Sequence, residues 1–276
     1  MKNDFQQEIR WLREEKYGGK ETQGFKKDIA RLERGEHIDY VIGRVDFLEC
    51  KIDLSQRPLI PRPETEFWTE KVIEEIGRSH HAFSSRFTPS AAWGPTRLGR
   101  KRGARALPFR CLDVFAGSGC IGVAVLKHIP RSRVDFAEKE KKLLKQIAIN
   151  AKLNRITSKR YRVFQSDIFS GVRGVYDYIF ANPPYIAESR KSKVQKSVLK
   201  NEPFNAVFGG KDGLYYIRKF LKEAKNHLSP GGKIYMEFDS FQKQAITKLI
   251  RRFGYSHFEF FKDQYGKWRY LITSLD

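Results

Sequence analysis

From Phe109 onward, short apolar runs alternate with stretches whose apolar residues recur every three or four positions, the pattern of strands separated by helices. The runs predict strands over 109–114, 133–137, 161–165, 176–181, 233–238, 257–262 and 268–273, and helices near 119–128, 140–153, 213–228 and 240–252. Such alternation argues for an α/β fold built on a parallel sheet. The last two strands follow one another with no helix between them, so one of them runs antiparallel to its neighbour. Ahead of this region, Phe5, Ile9 and Leu12, then Phe25, Ile29 and Leu32, keep i, i+4, i+7 spacing and predict short amphipathic helices over 3–16 and 22–34. Gly18-Gly19 and Gly35 end them. Val45 and Phe47 set against Ile52 and Leu54 predict a hairpin. Pro63 followed by Glu64 and Glu66 is a favoured helix start, with Trp68, Val72 and Ile76 on one face.

The pattern fails over residues 77–110, which hold eight Lys/Arg, the pair His80-His81 and no acid. A basic, low-order insertion is expected there. The chain thus divides into a small helical amino-terminal region (1–38), a hairpin and linker helix (39–76), the insertion (77–108) and the α/β domain (109–276). Charge adds one expectation. With 53 Lys+Arg against 32 Asp+Glu the net charge is +21, which favours a polyanionic neighbourhood, and contact with ribosomal or other RNA through the basic segments is expected. Cys50, Cys111 and Cys120 have no Cys-x-x-Cys spacing and read as buried thiols in a reducing compartment. No metal site is expected. No run approaches the roughly 18 apolar residues of a membrane span, so a cytoplasmic protein with no membrane partner is expected.

The candidate chemistry sits where the predicted strands end. Asp113-Val114-Phe115-Ala116-Gly117-Ser118-Gly119 closes the first core strand and opens a helix, where small residues let the backbone approach a ligand. Glu138 ends the next strand, nineteen residues beyond Gly119, where an acid in a nucleotide-binding fold accepts both ribose hydroxyls. Asp167 and Ile168 end the third, where Asp167 either accepts from an adenine amino group, with Ile168 packed on the ring, or, taken alone, serves as a turn aspartate. The apolar run Tyr178-Ile179-Phe180-Ala181 stops at Asn182-Pro183-Pro184-Tyr185, because proline has no N–H to donate to a ladder. Asn182 at this stiff corner suits the holding of a planar amide or amino nitrogen, with the Tyr185 ring near its plane. Together these strand ends describe an adenosine-bearing cofactor beside a nitrogen nucleophile. The simplest such cofactor is S-adenosyl-L-methionine.

The sequence resembles the glutamine N(5)-methyltransferases that modify peptide-chain release factors. The resemblance runs from about Tyr40 to the end, without the insertion. It rests on Ile60-Pro61-Arg62-Pro63-Glu64-Thr65-Glu66, the glycine loop, Asn182-Pro183-Pro184-Tyr185-Ile186, Glu202-Pro203 and Phe208-Gly209-Gly210-Lys211-Asp212-Gly213-Leu214. It implies a Rossmann-like class I methyltransferase sheet of seven strands with a carboxy-terminal antiparallel hairpin. It also implies cofactor contacts from Phe115, Ala116, Gly117, Ser118, Gly119, Glu138, Ile168 and Asn182, and a substrate glutamine held by Asn182, Pro183, Pro184 and Tyr185. Catalysis would rest on Asn182, Pro183 and Tyr185, with the release factor as protein partner. Phe115-Ala116 stands where the family usually has Gly-Thr, and phenylalanine there is common among nucleic-acid amino-methyltransferases. Methylation of adenine N(6) in RNA or DNA is therefore an alternative; a non-catalytic RNA-binding protein that kept the fold is another. The helical amino-terminal region is also shorter than usual, and Arg190, Lys191, Lys193, Lys196 and Lys200 face only Glu188 beside the site.

Overall fold

Apolar residues alternating between the two sides of each central strand build two separate cores, one on each face of a seven-stranded sheet. The computed structural model describes residues 2–80 and 108–275; most of the basic segment expected at 77–108 lies outside the described residues. The amino-terminal region is α1 (Lys2–Trp11), continued by a π-helical turn (Leu12–Lys16), then α2 (Gln23–Glu33) and α3 (Ile38–Ile42). Leu12, Phe25, Leu32, Ile38, Val41 and Ile42 form its own small core. A two-stranded hairpin, β1 (Arg44–Phe47) and β2 (Cys50–Asp53), precedes α4 (Pro63–His80).

The main domain runs β3 (Phe109–Val114), α5 (Cys120–His128), β4 (Ser132–Glu138), α6 (Lys141–Leu153), β5 (Tyr161–Gln165) and β6 (Tyr176–Ala181). Two short helices follow, α7 (Lys196–Asn201) and α8 (Phe204–Val207), then α9 (Tyr215–Ala224), β7 (Leu228–Glu237), α10 (Lys243–Phe253), β8 (His257–Lys262) and β9 (Trp268–Ser274). The strand order is β5-β4-β3-β6-β7-β9-β8. Pairings from β5 to β7 are parallel, and β9 is antiparallel to both neighbours. This is the expected class I methyltransferase sheet with its terminal hairpin. Cys111, Phe180 and Tyr235 point to the face covered by α4, α5 and the hairpin; Leu112, Ile179 and Ile234 point to the face covered by α9 and α10. The order reverses between β3 and β6, and the crevice outside that switch point is where such sheets bind ligands.

Polar side chains fix the hairpin against the domain. Gln146 and Asn150 on α6, and Asn154 at its carboxy-terminal cap, accept from the backbone N–H groups of Gln56, Asp53 and Lys51, at 2.8, 2.8 and 3.0 Å. They satisfy one edge of β2 and so set the path of the segment leading to α4. All three cysteines are buried free thiols. Among the described residues no helix is long and apolar enough to cross a membrane, and no cluster of His, Cys, Asp or Glu suits a metal ion.

Two glycines of the 208–214 block explain its composition. A Cβ on Gly209 would stand 2.5 Å from the Pro184 carbonyl oxygen, and one on Gly213, at φ +75°, would stand 2.2 Å from that of Tyr185. Neither distance admits a side chain, so this block is what allows the backbone after the Asn-Pro-Pro corner to lie flat against it. Gln242 Nε2 bridges the same two strips by donating to the carbonyls of Tyr185 and Gly213, at 2.9 and 3.0 Å. Gly213→Ala is expected to destabilise the protein by about 2–4 kcal/mol, from overpacking and backbone strain together. Urea unfolding measures it; a loss within about 0.5 kcal/mol of zero would show that the corner yields freely.

Candidate active site

The turn after β3 takes three left-handed residues: Phe115 at φ +60°, Gly117 at +55° and Gly119 at +77°. Phe115 carries the strain of a side chain in that region, about 1 kcal/mol. Its ring is held in edge contact with Tyr216 and beside Phe220, at 5.9 and 6.2 Å between centroids. Behind the turn, the Gly122 N–H donates to Asp113 Oδ2 at 3.0 Å, and full burial pushes that carboxyl up to about 8. Gly119 caps α5 without a side-chain partner. Glu138, at the end of β4, accepts from the backbone N–H groups of Gly117 and Glu140, each at 2.8 Å. Burial raises its pKa above the usual value against those two donors. Two lone-pair positions on its oxygens remain for a ligand.

A cavity of about 250 Å³ opens over this turn. Phe115, Ala116, Gly117, Ser118, Glu138, Asp167, Ile168, Asn182 and Pro184 all line it. Gly119 sits behind them at the helix start. Asp167 is at the rim, where Lys139 Nζ lies 3.2 Å from its Oδ2. A second cavity, of about 400 Å³, adjoins the first and is lined by Asn182, Pro183 and Tyr185. The two share Leu59, Arg62, Asn182 and Ala206 as common wall. The sequence-predicted residues thus gather at one place, with Asn182 at the junction of two chambers.

Sequence reasoning missed the residues behind that junction. Glu237, at the end of β7, is 1% exposed and accepts from Thr65 Oγ1 at 2.6 Å, Trp68 Nε1 at 2.7 Å and the Tyr185 hydroxyl at 2.9 Å. Thr65 in turn accepts from Asn182 Nδ2 at 3.2 Å. Burial lifts the Glu237 carboxyl above its usual value, opposed by its hydrogen-bond donors and the Arg269 charge. Burial and the adjacent carboxylate also push the Tyr185 phenol well up. The available signal was an acid inside the apolar run Ile234-Tyr235-Met236-Glu237-Phe238, since a charge in a central strand needs partners. Arg62 bridges the common wall, with Nη2 2.5 and 2.7 Å from the two oxygens of Glu202.

A family model described as methyltransferase small domain matches residues 104–201. The release factor glutamine methyltransferase of Thermodesulfovibrio yellowstonii is 31% identical over 245 residues, spanning 88% of this chain and 78% of that protein. The protein of the same name from Streptococcus pneumoniae is 30% identical over 257 residues, spanning 92% and 80%. The chain belongs to the release factor glutamine methyltransferase family. Among solved structures, the human Mettl16 catalytic domain superposes with a TM-score of 0.57 at 14% identity, covering 83% of this chain and 77% of that one, a likeness of fold.

As a member of this family the chain is a methyltransferase with S-adenosyl-L-methionine as cofactor, and the first cavity suits that molecule. A Cβ built on Gly117 meets no atom closer than the Phe115 carbonyl oxygen at 3.8 Å, so the turn leaves open space for a ligand against its backbone. The free lone pairs of Glu138 suit a ribose diol, and the buried Ile168 side chain offers an apolar wall for a ring.

Proposed function

We propose that this chain methylates the side-chain amide nitrogen of the glutamine in the Gly-Gly-Gln motif of peptide-chain release factors. The observation that carries the reading is the placement of Asn182 at the wall shared by the two cavities, with its Nδ2 turned back to Thr65. Its Oδ1 is then presented to the chambers. S-adenosyl-L-methionine would be held by Phe115 to Gly119, Glu138, Asp167 and Ile168, and would supply an electrophilic methyl group.

The residues of this chain supply alignment. An amide nitrogen is a poor nucleophile because its lone pair is delocalised into the carbonyl. Asn182 Oδ1 and the Pro183 carbonyl accept its two hydrogens, which enriches the nitrogen and aims it at the first cavity. Pro183 and Pro184 make that pair of acceptors rigid, since their φ angles are fixed. Tyr185 packs beside the substrate amide. Its hydroxyl is committed to Glu237, and its raised pKa suits an orienting role better than proton removal. The nitrogen gives up one proton during or after transfer, and no side chain at the corner is placed as a strong general base for it.

The test is transfer of radiolabelled methyl groups to a purified release factor, to the same factor with the motif glutamine changed to asparagine, and to bulk RNA. Label in the first alone supports the proposal. Equal label in the asparagine form, or label in RNA alone, overturns it.

A further inference from the structure

The side-chain amide of Asn182 has two seatings, related by a half-turn, that exchange a carbonyl oxygen for an NH2 group. Only one suits a substrate amide. The groups to be held on that amide are N–H donors, so the clamp must offer an oxygen; the reversed seating would point donors at donors. Nothing in the Asn-Pro-Pro corner itself chooses between them. The choice is made from behind, by residues of α4 and β7.

The direction of each hydrogen bond follows from chemistry. Trp68 Nε1–H can only donate, and it lies 2.7 Å from Glu237 Oε2, which is therefore an acceptor. Thr65 Oγ1 lies 2.6 Å from the same oxygen, so its single hydrogen is committed there. What Thr65 has left is lone pairs, and these accept from Asn182 Nδ2 at 3.2 Å. A reversed Asn182 would set two hydrogen-free oxygens against each other beside a threonine that is 2% exposed. The direction holds whichever charge Glu237 bears. A proton on that carboxyl belongs on Oε1, where its partner Tyr185 has a hydroxyl able to accept, because Oε2 already receives two donors. Thr65 is itself anchored, since the Thr69 hydroxyl donates to its carbonyl at 2.7 Å.

We propose that Thr65 is a positioning residue for methyl transfer: directed by Glu237 and Trp68, it fixes which end of the Asn182 amide meets the substrate nitrogen. The proposal rests on the reading of Asn182 as the amide clamp. It assigns chemistry to the threonine of the Pro-Arg-Pro-Glu-Thr-Glu block and explains why a helix starting more than a hundred residues earlier must dock on this strand end.

Thr65→Val keeps the shape and removes both the hydrogen and the lone pairs. Its kcat with a release factor is expected to fall about 10–100-fold while affinity for S-adenosyl-L-methionine, read by calorimetry, stays at the wild-type value. Thr65→Ser is expected to restore kcat to within about threefold, because it keeps the hydroxyl. In an Asn182→Ala background the valine change is expected to add less than about twofold, since the group it orients is gone. Thermal melting confirms folding, and Thr65→Ala carries the same expectation should the valine variant fail to fold. Wild-type kcat in the valine or alanine variant, or its full loss repeated in the Asn182→Ala background, overturns the proposal while leaving the clamp reading in place. Wild-type transfer by Asn182→Ala overturns both.

Discussion

Asn182→Ala is expected to lower kcat for methyl transfer by about 10²–10³-fold, the size of effect that follows loss of one preorganised electrostatic contact to a reacting group. Affinity for S-adenosyl-L-methionine is expected to stay within about twofold, because the cofactor cavity keeps the Phe115 to Gly119 turn, Glu138 and Ile168. The split between binding and turnover is the informative part. A residue whose main role is to hold the methyl donor would show its loss in both. Calorimetry with the cofactor and single-turnover transfer to a release factor measure the two separately. A variant that turns over within tenfold of wild type would show that the corner is structural.

The second large effect concerns Arg62. Its guanidinium meets both oxygens of Glu202, whose side chain is fully buried, across the wall shared by the two cavities. Arg62→Met leaves that carboxylate without its cation, and is expected to cost about 3–5 kcal/mol at neutral pH. Burial already raises the Glu202 pKa above its usual 4.5, and Arg62 is the largest influence holding it down. In the variant the folded-state value rises further. A carboxyl whose folded pKa lies above its unfolded one contributes most below the unfolded value, and that contribution is lost as pH climbs toward the folded value. The variant should therefore recover stability between pH 7 and about 5, where wild type gains less. Adding Glu202→Gln to Arg62→Met should also return part of the loss at pH 7. Melting curves for the three proteins at both pH values test this; an Arg62→Met variant that melts like wild type would remove the pair from any structural role.

What the sequence revealed divides along physical lines. Strands β3 and β6 were legible because both are apolar runs halted by residues that end a ladder, a glycine loop in one and two prolines in the other. The residues at their ends lie together because consecutive parallel strands in this topology finish on one edge. By contrast α7 and α8 were invisible: each is one or two turns long, and Lys196, Lys200 and Asn201 give α7 no apolar period. The start of β7 at Leu228 was masked by Pro230-Gly231-Gly232, which reads as a turn. The stripe of Gln146 and Asn150 on α6, continued by Asn154 at its cap, has the spacing of a solvated face, yet Gln146 and Asn150 are fully buried and clasp the backbone of β2 and the segment after it. Periodicity reports polarity, and here the polar atoms were satisfied by backbone instead of water. The shared role of Thr65, Trp68 and Glu237 was hidden for a related reason. They are separated by about 170 residues, and only the hydrogen bonds between them reveal a common task.

The hairpin that places β9 between β7 and β8 also reaches the Asn-Pro-Pro corner from outside the cavities. β9 supplies the neighbour that β7 needs on that side, with Tyr270 opposite Glu237, and it brings Arg269 to within 3.5 Å of the Tyr185 hydroxyl. No residue of β9 lines the first cavity, so what this strand brings to the site is support: it completes the sheet beside Glu237 and backs the Tyr185 phenol with a largely buried cation.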